Sequence, residues 1–271
     1  MEAHPVPAAP ALAAPVPPLP PLSRLALLLD LDGTLLDLAA SPEEVSVPPA
    51  LPATLGRLRE RLGGALAVVS GRTVSSVAAL LPGLDLTIAG EHGGAIRRSR
   101  ERALERPELP EVPEAWRAAA AALAAANPGV LFEEKPHGFV LHYRKAPQAA
   151  SALADRLATL VDGREGLDGR EGGGLFVVSP AAMAWEVRPR AVNKATAVAA
   201  LLGAPPFAGR VPVFVGDDTT DEDGIRAARE AGGFGFRVAE TFGDAAGVRD
   251  WLARLAAGSG EAEESACRAG S

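Results

Sequence analysis

The chain has 271 residues, 48% hydrophobic, 23% charged and only 4% aromatic, with a formal net charge of −7. That length suits one large domain or a core with an inserted partner, and the acidic balance excludes a strongly basic nucleic-acid binder. An anionic substrate must be held by local Lys, Arg or metal, not by the whole surface. Residues 1–23 carry eight prolines between Pro5 and Pro21 and no basic residue before Arg24, which reads as a disordered leader, not a signal peptide. The lone Cys267 excludes an intrachain disulfide and a cysteine-based zinc site. No run reaches the ~18–20 apolar residues that span a bilayer, so no membrane partner and a cytoplasmic location are expected.

Ordered structure is expected from Arg24. Leu25 to Asp32 is a continuous apolar run ending in acids, the pattern of a strand buried on both faces. A loop follows, then a helix over Pro49 to Leu62 closed by Gly63 and Gly64. Ala65 to Gly71 is a second buried strand, Thr73 caps a helix reaching Leu81, and Leu86 to Gly90 is a third strand. Strands alternating with helices imply right-handed crossovers and a mainly parallel sheet. The middle changes character: a charged stretch from Arg97 to Pro113, a helix over Glu114 to Ala126, a strand over Gly138 to Arg144, and a helix over Ser151 to Leu160. After a glycine-rich turn at Gly172 to Gly174 come two paired strands, LFVVSP and MAWEVRP. The first pattern then resumes with a helix over Asn193 to Leu202, a strand over Val211 to Asp218 and a helix over Asp221 to Glu230. A short strand, FGFRVA, and a helix over Asp244 to Leu255 close the core. The small, polar tail beyond is expected to be disordered.

Open α/β sheets bind ligands outside the carboxyl ends of their strands. Three strands distant in sequence deliver polar groups there: Asp30-Leu31-Asp32-Gly33-Thr34, Ser70-Gly71-Arg72 and Gly216-Asp217-Asp218. Asp30 and Asp32 are two apart and can face one crevice, and Gly33 permits a tight turn. Four carboxylates at one edge repel one another unless a cation sits between them, and hard oxygen donors suit Mg²⁺. A magnesium site in such a crevice suggests phosphate chemistry. A calcium-binding loop over Thr219 to Glu230 is a rival reading, with Asp221, Asp223, Gly224 and Glu230 in register. It fails at its first position, which is Thr219, and a strand precedes it where a helix is wanted.

These motifs, with a lone Lys194 before a helix and G-D-D-x-x-D at Gly216 to Asp221, resemble the four motifs of the haloacid dehalogenase superfamily of phosphatases. The resemblance runs from Leu25 to Leu255. It implies Asp30 as a nucleophile forming an aspartyl-phosphate and Asp32 as acid then base. It further implies Thr34 and Ser70 as phosphate-binding and Lys194 as the neutralising catalytic lysine. Asp30, the Asp32 main-chain carbonyl and Asp217 are implied as Mg²⁺ ligands, with Asp218 and Asp221 in support. The implied architecture is α/β: a doubly wound, mainly parallel, Rossmann-like core over 24–99 and 188–256. An α+β cap domain is inserted over 100–187, and a disordered tail occupies 257–271.

Further strings narrow the substrate. Gly90-Glu91-His92-Gly93, Glu133-Glu134-Lys135, His142-Tyr143-Arg144, Glu186-Val187-Arg188-Pro189 and the Thr219-Thr220-Asp221-Glu222 run are similar to trehalose-6-phosphate phosphatases. Pro136, His137 and Trp185 depart from that pattern. The resemblance implies hydrolysis of trehalose 6-phosphate to trehalose and phosphate, with Glu133, Lys135 and Glu186 bonding the hydroxyls of the distal sugar. His92 is expected to fix a loop rather than catalyse, and the role of Arg72 is left open. Two other readings stand beside this one. The first is a sugar phosphatase of the same superfamily acting on sucrose phosphate or mannosyl phosphoglycerate. The second is a catalytically idle sugar-phosphate-binding module, against which the pairing of Asp30 with Asp32 argues.

Overall fold

The computed structural model describes residues 15–39, 44–162, 174–181 and 183–258. The first strand, β1 (Leu25–Leu29), is buried along its whole length, as is β2 (Leu66–Val69). Between them lies α1 (Leu51–Arg61), and after β2 come α2 (Val74–Leu80) and β3 (Thr87–Gly90). Thr73 caps α2 through its side-chain oxygen, which accepts from the Ser76 N–H. A short strand, β4 (Ala95–Arg97), then turns back antiparallel to β3. The charged stretch that follows remains with this sheet as far as Arg106. Ile96 bridges to Glu105 and Arg106 pairs with Glu91, and a second unit of structure follows.

That unit contains α3 (Glu114–Ala126), β5 (Leu131–Lys135), β6 (Gly138–His142), α4 (Ala150–Val161), β7 (Phe176–Ala181) and β8 (Ala184–Pro189). Its strands form an antiparallel sheet in the order β5-β6-β8-β7. The chain returns through α5 (Lys194–Leu202), β9 (Val211–Gly216), α6 (Asp221–Glu230), β10 (Phe234–Arg237), α7 (Val238–Thr241) and α8 (Ala245–Ala257). The first sheet has the order β10-β9-β1-β2-β3-β4, parallel except at β4.

Side-chain alternation makes the core two-sided. Leu25, Leu27 and Leu29 of β1 pack with α1, α2 and α8, whereas Ala26 and Leu28 pack with α5 and α6. The second sheet is apolar on one face only. Phe139, Leu141, Val187 and Phe176 lie under Trp116 and Ala120 of α3 and Leu153, Leu157 and Val161 of α4. The strand β5 is absent from the sequence reading because its charged LFEEK string leaves only Phe132 to turn inward.

The leader needs correction. Val16, Leu19 and Leu22 pack against the first core cluster, and Leu22–Arg24 forms a single 3-10 turn, so the ordered chain starts before Arg24. Proline fixes the backbone of this segment in advance, so laying its apolar side chains on the core costs little additional entropy. The rest of the leader, residues 1–14, the Gly172–Gly173 part of the predicted turn and the tail from 259 lie outside the described residues.

Candidate active site

Three strand ends of the first sheet meet where the motifs place them. Asp30 follows β1 and is buried, its N–H donating to the Val215 carbonyl at 2.9 Å. Gly33 has φ +82°, and a Cβ there would strike the Asp217 carboxylate, so the turn after Asp30 can approach β9 only because it carries no side chain. After β9 the chain folds upon itself. Asp221 Oδ2 accepts from the Asp217 and Asp218 N–H groups, both at 3.1 Å, and Asp218 Oδ1 accepts from the Thr220 N–H and Oγ1, both at 2.7 Å. Lys194 is the first residue of α5, whose N-terminus Asn193 and Thr196 close with a reciprocal capping box. The buried Lys194 Nζ donates to Asp30 Oδ1 at 2.7 Å and to Asp221 Oδ1 at 2.5 Å.

The carboxylates outnumber their partner. Asp30, Asp217 and Asp221 each offer an oxygen within 4.8 Å of the others'. Burial pushes Asp30 up to about 7, Asp217 to about 6 and Asp221 to about 8, and neighbouring carboxylates add to the shift in each case. Burial alone would lower Lys194, but Asp30 and Asp221 outweigh it and hold the ammonium charged. One ammonium does not balance this group, and its all-oxygen donor set fits a hard divalent cation. Both Asp221 oxygens are engaged within the fold, whereas Asp30 keeps Oδ2 outside the lysine contact and, among the described residues, the side-chain partner of Asp217 is Thr34, whose Oγ1 stands at a long 3.5 Å. Asp30 and Asp217 therefore have oxygens to spare for an ion, and Asp221 supports them.

The Asp32 side chain stands apart from this group. Arg72 grips it with both prongs, Nε to Oδ2 at 2.6 Å and Nη2 to Oδ1 at 2.8 Å. Ser70 is buried at the end of β2, its Oγ accepting from the Arg72 N–H at 3.2 Å.

The second sheet presents its polar face to this edge. Register pairs Glu133 with Val140 and Val140 with Glu186, so the two acids share a face, and Lys135 lies two residues from Glu133 on that same face. Lys135 Nζ donates to Glu186 Oε1 at 2.8 Å and to the Gly71 carbonyl at 3.0 Å, linking this face directly to the Ser70-Gly71-Arg72 turn. Glu186 Oε2 also meets His92 Nε2 at 2.8 Å. Burial alone would raise Glu186, but His92 and Lys135 hold it well below the usual carboxylate range. Glu133 stands further out, bonded to His142 Nε2 at 2.7 Å, and that hydrogen bond lowers its pKa. The structure thus joins Lys135 to Glu186 and leaves Glu133 on the same face beside a different partner.

Among the contacts that escaped the sequence reading are Asp221 on Lys194, Arg72 on Asp32, and His92 on Glu186. For the last, the backbone supplies the signal that the G-E-H-G string alone does not. Glu91 and His92 have φ of 53° and 55°, left-handed values that cost non-glycine residues on the order of 1–3 kcal/mol each and point to a functional constraint.

Comparison with known proteins fits this geometry. A sequence profile of the trehalose-phosphatase family matches residues 28–247. The chain belongs to that family. It is 41% identical over 213 residues to a "probable trehalose-phosphate phosphatase" of Sinorhizobium fredii, covering 79% of this chain and 77% of that protein. It is 32% identical over 221 residues to the trehalose-6-phosphate phosphatase of Escherichia coli, covering 80% and 78%. Among solved structures, the C-terminal domain of C. albicans trehalose-6-phosphate phosphatase superposes with a TM-score of 0.67 at 18% identity, over 87% of this chain and 93% of that one. A haloacid dehalogenase-like hydrolase from Bacteroides thetaiotaomicron gives 0.57 at 16% identity, over 86% and 99%. The fold is thus the mixed α/β fold of haloacid dehalogenase-like hydrolases, and family membership makes the protein a phosphoric monoester hydrolase.

Proposed function

We propose that this enzyme hydrolyses trehalose 6-phosphate to trehalose and inorganic phosphate, with a divalent ion, Mg²⁺, held by Asp30 and Asp217. The observation that carries the reading is the bridge from Lys135 to Gly71 O, which supports it by joining the face assigned here to sugar to the edge assigned here to phosphate. When bound, the ion supplies positive charge against the phosphoryl oxygens and keeps Asp30 ionised. The implied Asp32 carbonyl completes the protein's share of its ligands.

Asp30 attacks phosphorus, and the bond from phosphorus to the sugar oxygen breaks as Asp32 delivers a proton to that oxygen. Asp32 then takes a proton from water, which attacks the aspartyl-phosphate, frees phosphate and restores Asp30. Lys194 holds Asp30 and adds positive charge, while Thr34 and Ser70 donate hydroxyl hydrogens to the phosphoryl oxygens. Arg72 has to yield its grip on Asp32 before that carboxyl can give up a proton. The second unit serves as a cap over residues 112–189, with Glu133, Lys135 and Glu186 bonding sugar hydroxyls. Cytoplasmic action goes with this reading, and among the described residues no helix is long and apolar enough to cross a membrane.

Phosphate release from a panel of trehalose, sucrose and mannosyl phosphates, with Mg²⁺ or with chelator, tests the proposal. Trehalose 6-phosphate is expected to be preferred and chelation to stop turnover. Release that ignores chelation removes the metal from the mechanism, and preference for another sugar removes the substrate assignment.

A further inference from the structure

The turn from Gly90 to Gly94 is constrained well beyond what a connecting loop needs. Glu91 and His92 are consecutive left-handed residues, and two separate devices hold them there. Arg106 clasps Glu91 with Nη1 and Nη2 at 2.9 and 3.0 Å, anchoring the turn to the segment that follows β4. The His92 ring lies over Gly71, where a Cβ would stand 2.7 Å from Nε2, so the glycine after Ser70 makes room for it. From this position Nε2 reaches across from the first sheet to Glu186 on the second, and the ring is buried.

We propose that His92 is a positioning residue for sugar recognition, orienting Glu186 from the side of the phosphate edge. The proposal rests on the assignment of Glu186 to the sugar made above. An ionised carboxylate has about four lone-pair directions. Lys135 takes one on Oε1 and His92 takes one on Oε2, which leaves one on each oxygen for a hydroxyl hydrogen. Held at both oxygens, the carboxylate plane cannot rotate, and its remaining lone pairs point in fixed directions. Burial lowers the His92 pKa and keeps the ring neutral, so an Nε2–H tautomer donates to Glu186 without adding a charge that a neutral disaccharide would have to offset. Because the two partners belong to different sheets, Glu186 is aimed only while its sheet is seated against the first.

Kinetics on trehalose 6-phosphate and on p-nitrophenyl phosphate test this with intact, Mg²⁺-supplemented enzyme. His92→Phe keeps ring volume and removes the donor; His92→Asn tolerates the left-handed backbone but is too short to reach Glu186; His92→Gln retains a donor at a similar reach. The Phe and Asn variants are expected to lose about ten- to hundredfold in kcat/KM for the sugar phosphate, mainly through KM, with the aryl phosphate unchanged. Gln is expected to restore most of the loss. Equal losses on both substrates, no loss with either variant, or a Gln variant as poor as Phe would each overturn the proposal. Glu186→Gln separates it from the reading beneath. If that variant spares the sugar phosphate, the sugar assignment itself has failed. If it harms the sugar phosphate while the His92 variants do not, only the role of His92 falls.

Discussion

The two polar surfaces of this molecule solve opposite electrostatic problems. At the edge of the first sheet, Asp30, Asp217 and Asp221 crowd around one ammonium, and all three acids are pushed upward. On the second sheet, Glu186 is matched by Lys135 and His92, Glu133 is matched by His142, and both acids are pushed downward. A surplus of carboxylates suits ligands that bring positive charge, with an anion following the ion in. A set in which each carboxylate already has hydrogen-bond donors suits a neutral partner rich in hydroxyls, because its hydrogen bonds can be shared without stranding a buried charge. A sugar phosphate needs one surface of each kind, joined at short range.

The largest expected effect tests the unbalanced edge. Asp30→Asn should abolish phosphate release from every substrate, a loss of at least about a thousandfold, while circular dichroism shows an intact fold. In chelator at neutral pH its melting temperature should not fall, because the substitution removes an acid that burial already disfavours in its ionised form. Retained turnover would take the nucleophile role from Asp30, and a collapsed fold would make the carboxylate a structural partner of Lys194.

The balanced surface should respond selectively. Lys135→Ala and Glu133→Ala are each expected to cut trehalose 6-phosphate turnover by about ten- to several-hundredfold and to spare p-nitrophenyl phosphate. Of the two, Lys135→Ala should be worse. It leaves the buried Glu186 without its directly bonded ammonium, whereas Glu133 is half exposed and its loss frees His142 nearer the solvent. Equal damage to both substrates would move these residues out of the sugar site.

How far the sequence disclosed these surfaces follows from how each is built. The acidic edge is assembled from short strings at strand ends, and buried parallel strands announce themselves as apolar runs. Asp30, Ser70 and Asp217 were therefore legible together with the strands that carry them. Contacts between strings were not. Nothing local in Ser70-Gly71-Arg72 says that Arg72 reaches back to Asp32, and nothing in G-D-D-T-T-D says that Asp221 shares Lys194 with Asp30. The second sheet was harder because one face turns toward the other unit. Glu133 and Lys135 share one face of a strand whose exposed Leu131 and Glu134 mask the period of two, so β5 gave no strand signal. The leader failed for a different reason: its prolines suggested disorder, while the Val16, Leu19 and Leu22 between them supplied enough apolar surface to lie on the core.

The smallest expected effect is a pH dependence of stability that distinguishes the two surfaces by sign. Burial lowers His92 from its ordinary value of 6.5, so below that pH the unfolded chain takes up a proton that the folded ring resists. The stability this contributes is present above 6.5 and is lost as pH falls, by at most about 1.4 kcal/mol per pH unit for one proton. Glu186, also lowered, contributes with the same sign only further down, as pH falls below its ordinary 4.5. The acids at the edge of the first sheet act the other way. Asp30, Asp217 and Asp221 are raised, so in chelator the folded state takes up their protons first and gains stability as pH falls through about 8 to 6. The informative quantity is therefore the difference between the wild-type protein and His92→Gln, measured by urea unfolding from pH 7 to 5, in which the contribution of the acid edge cancels. Wild type is expected to lose ground to the variant once pH falls below 6.5. Parallel curves would mean that His92 titrates alike in the folded and unfolded chains, and the contact with Glu186 would then carry no buried neutral imidazole.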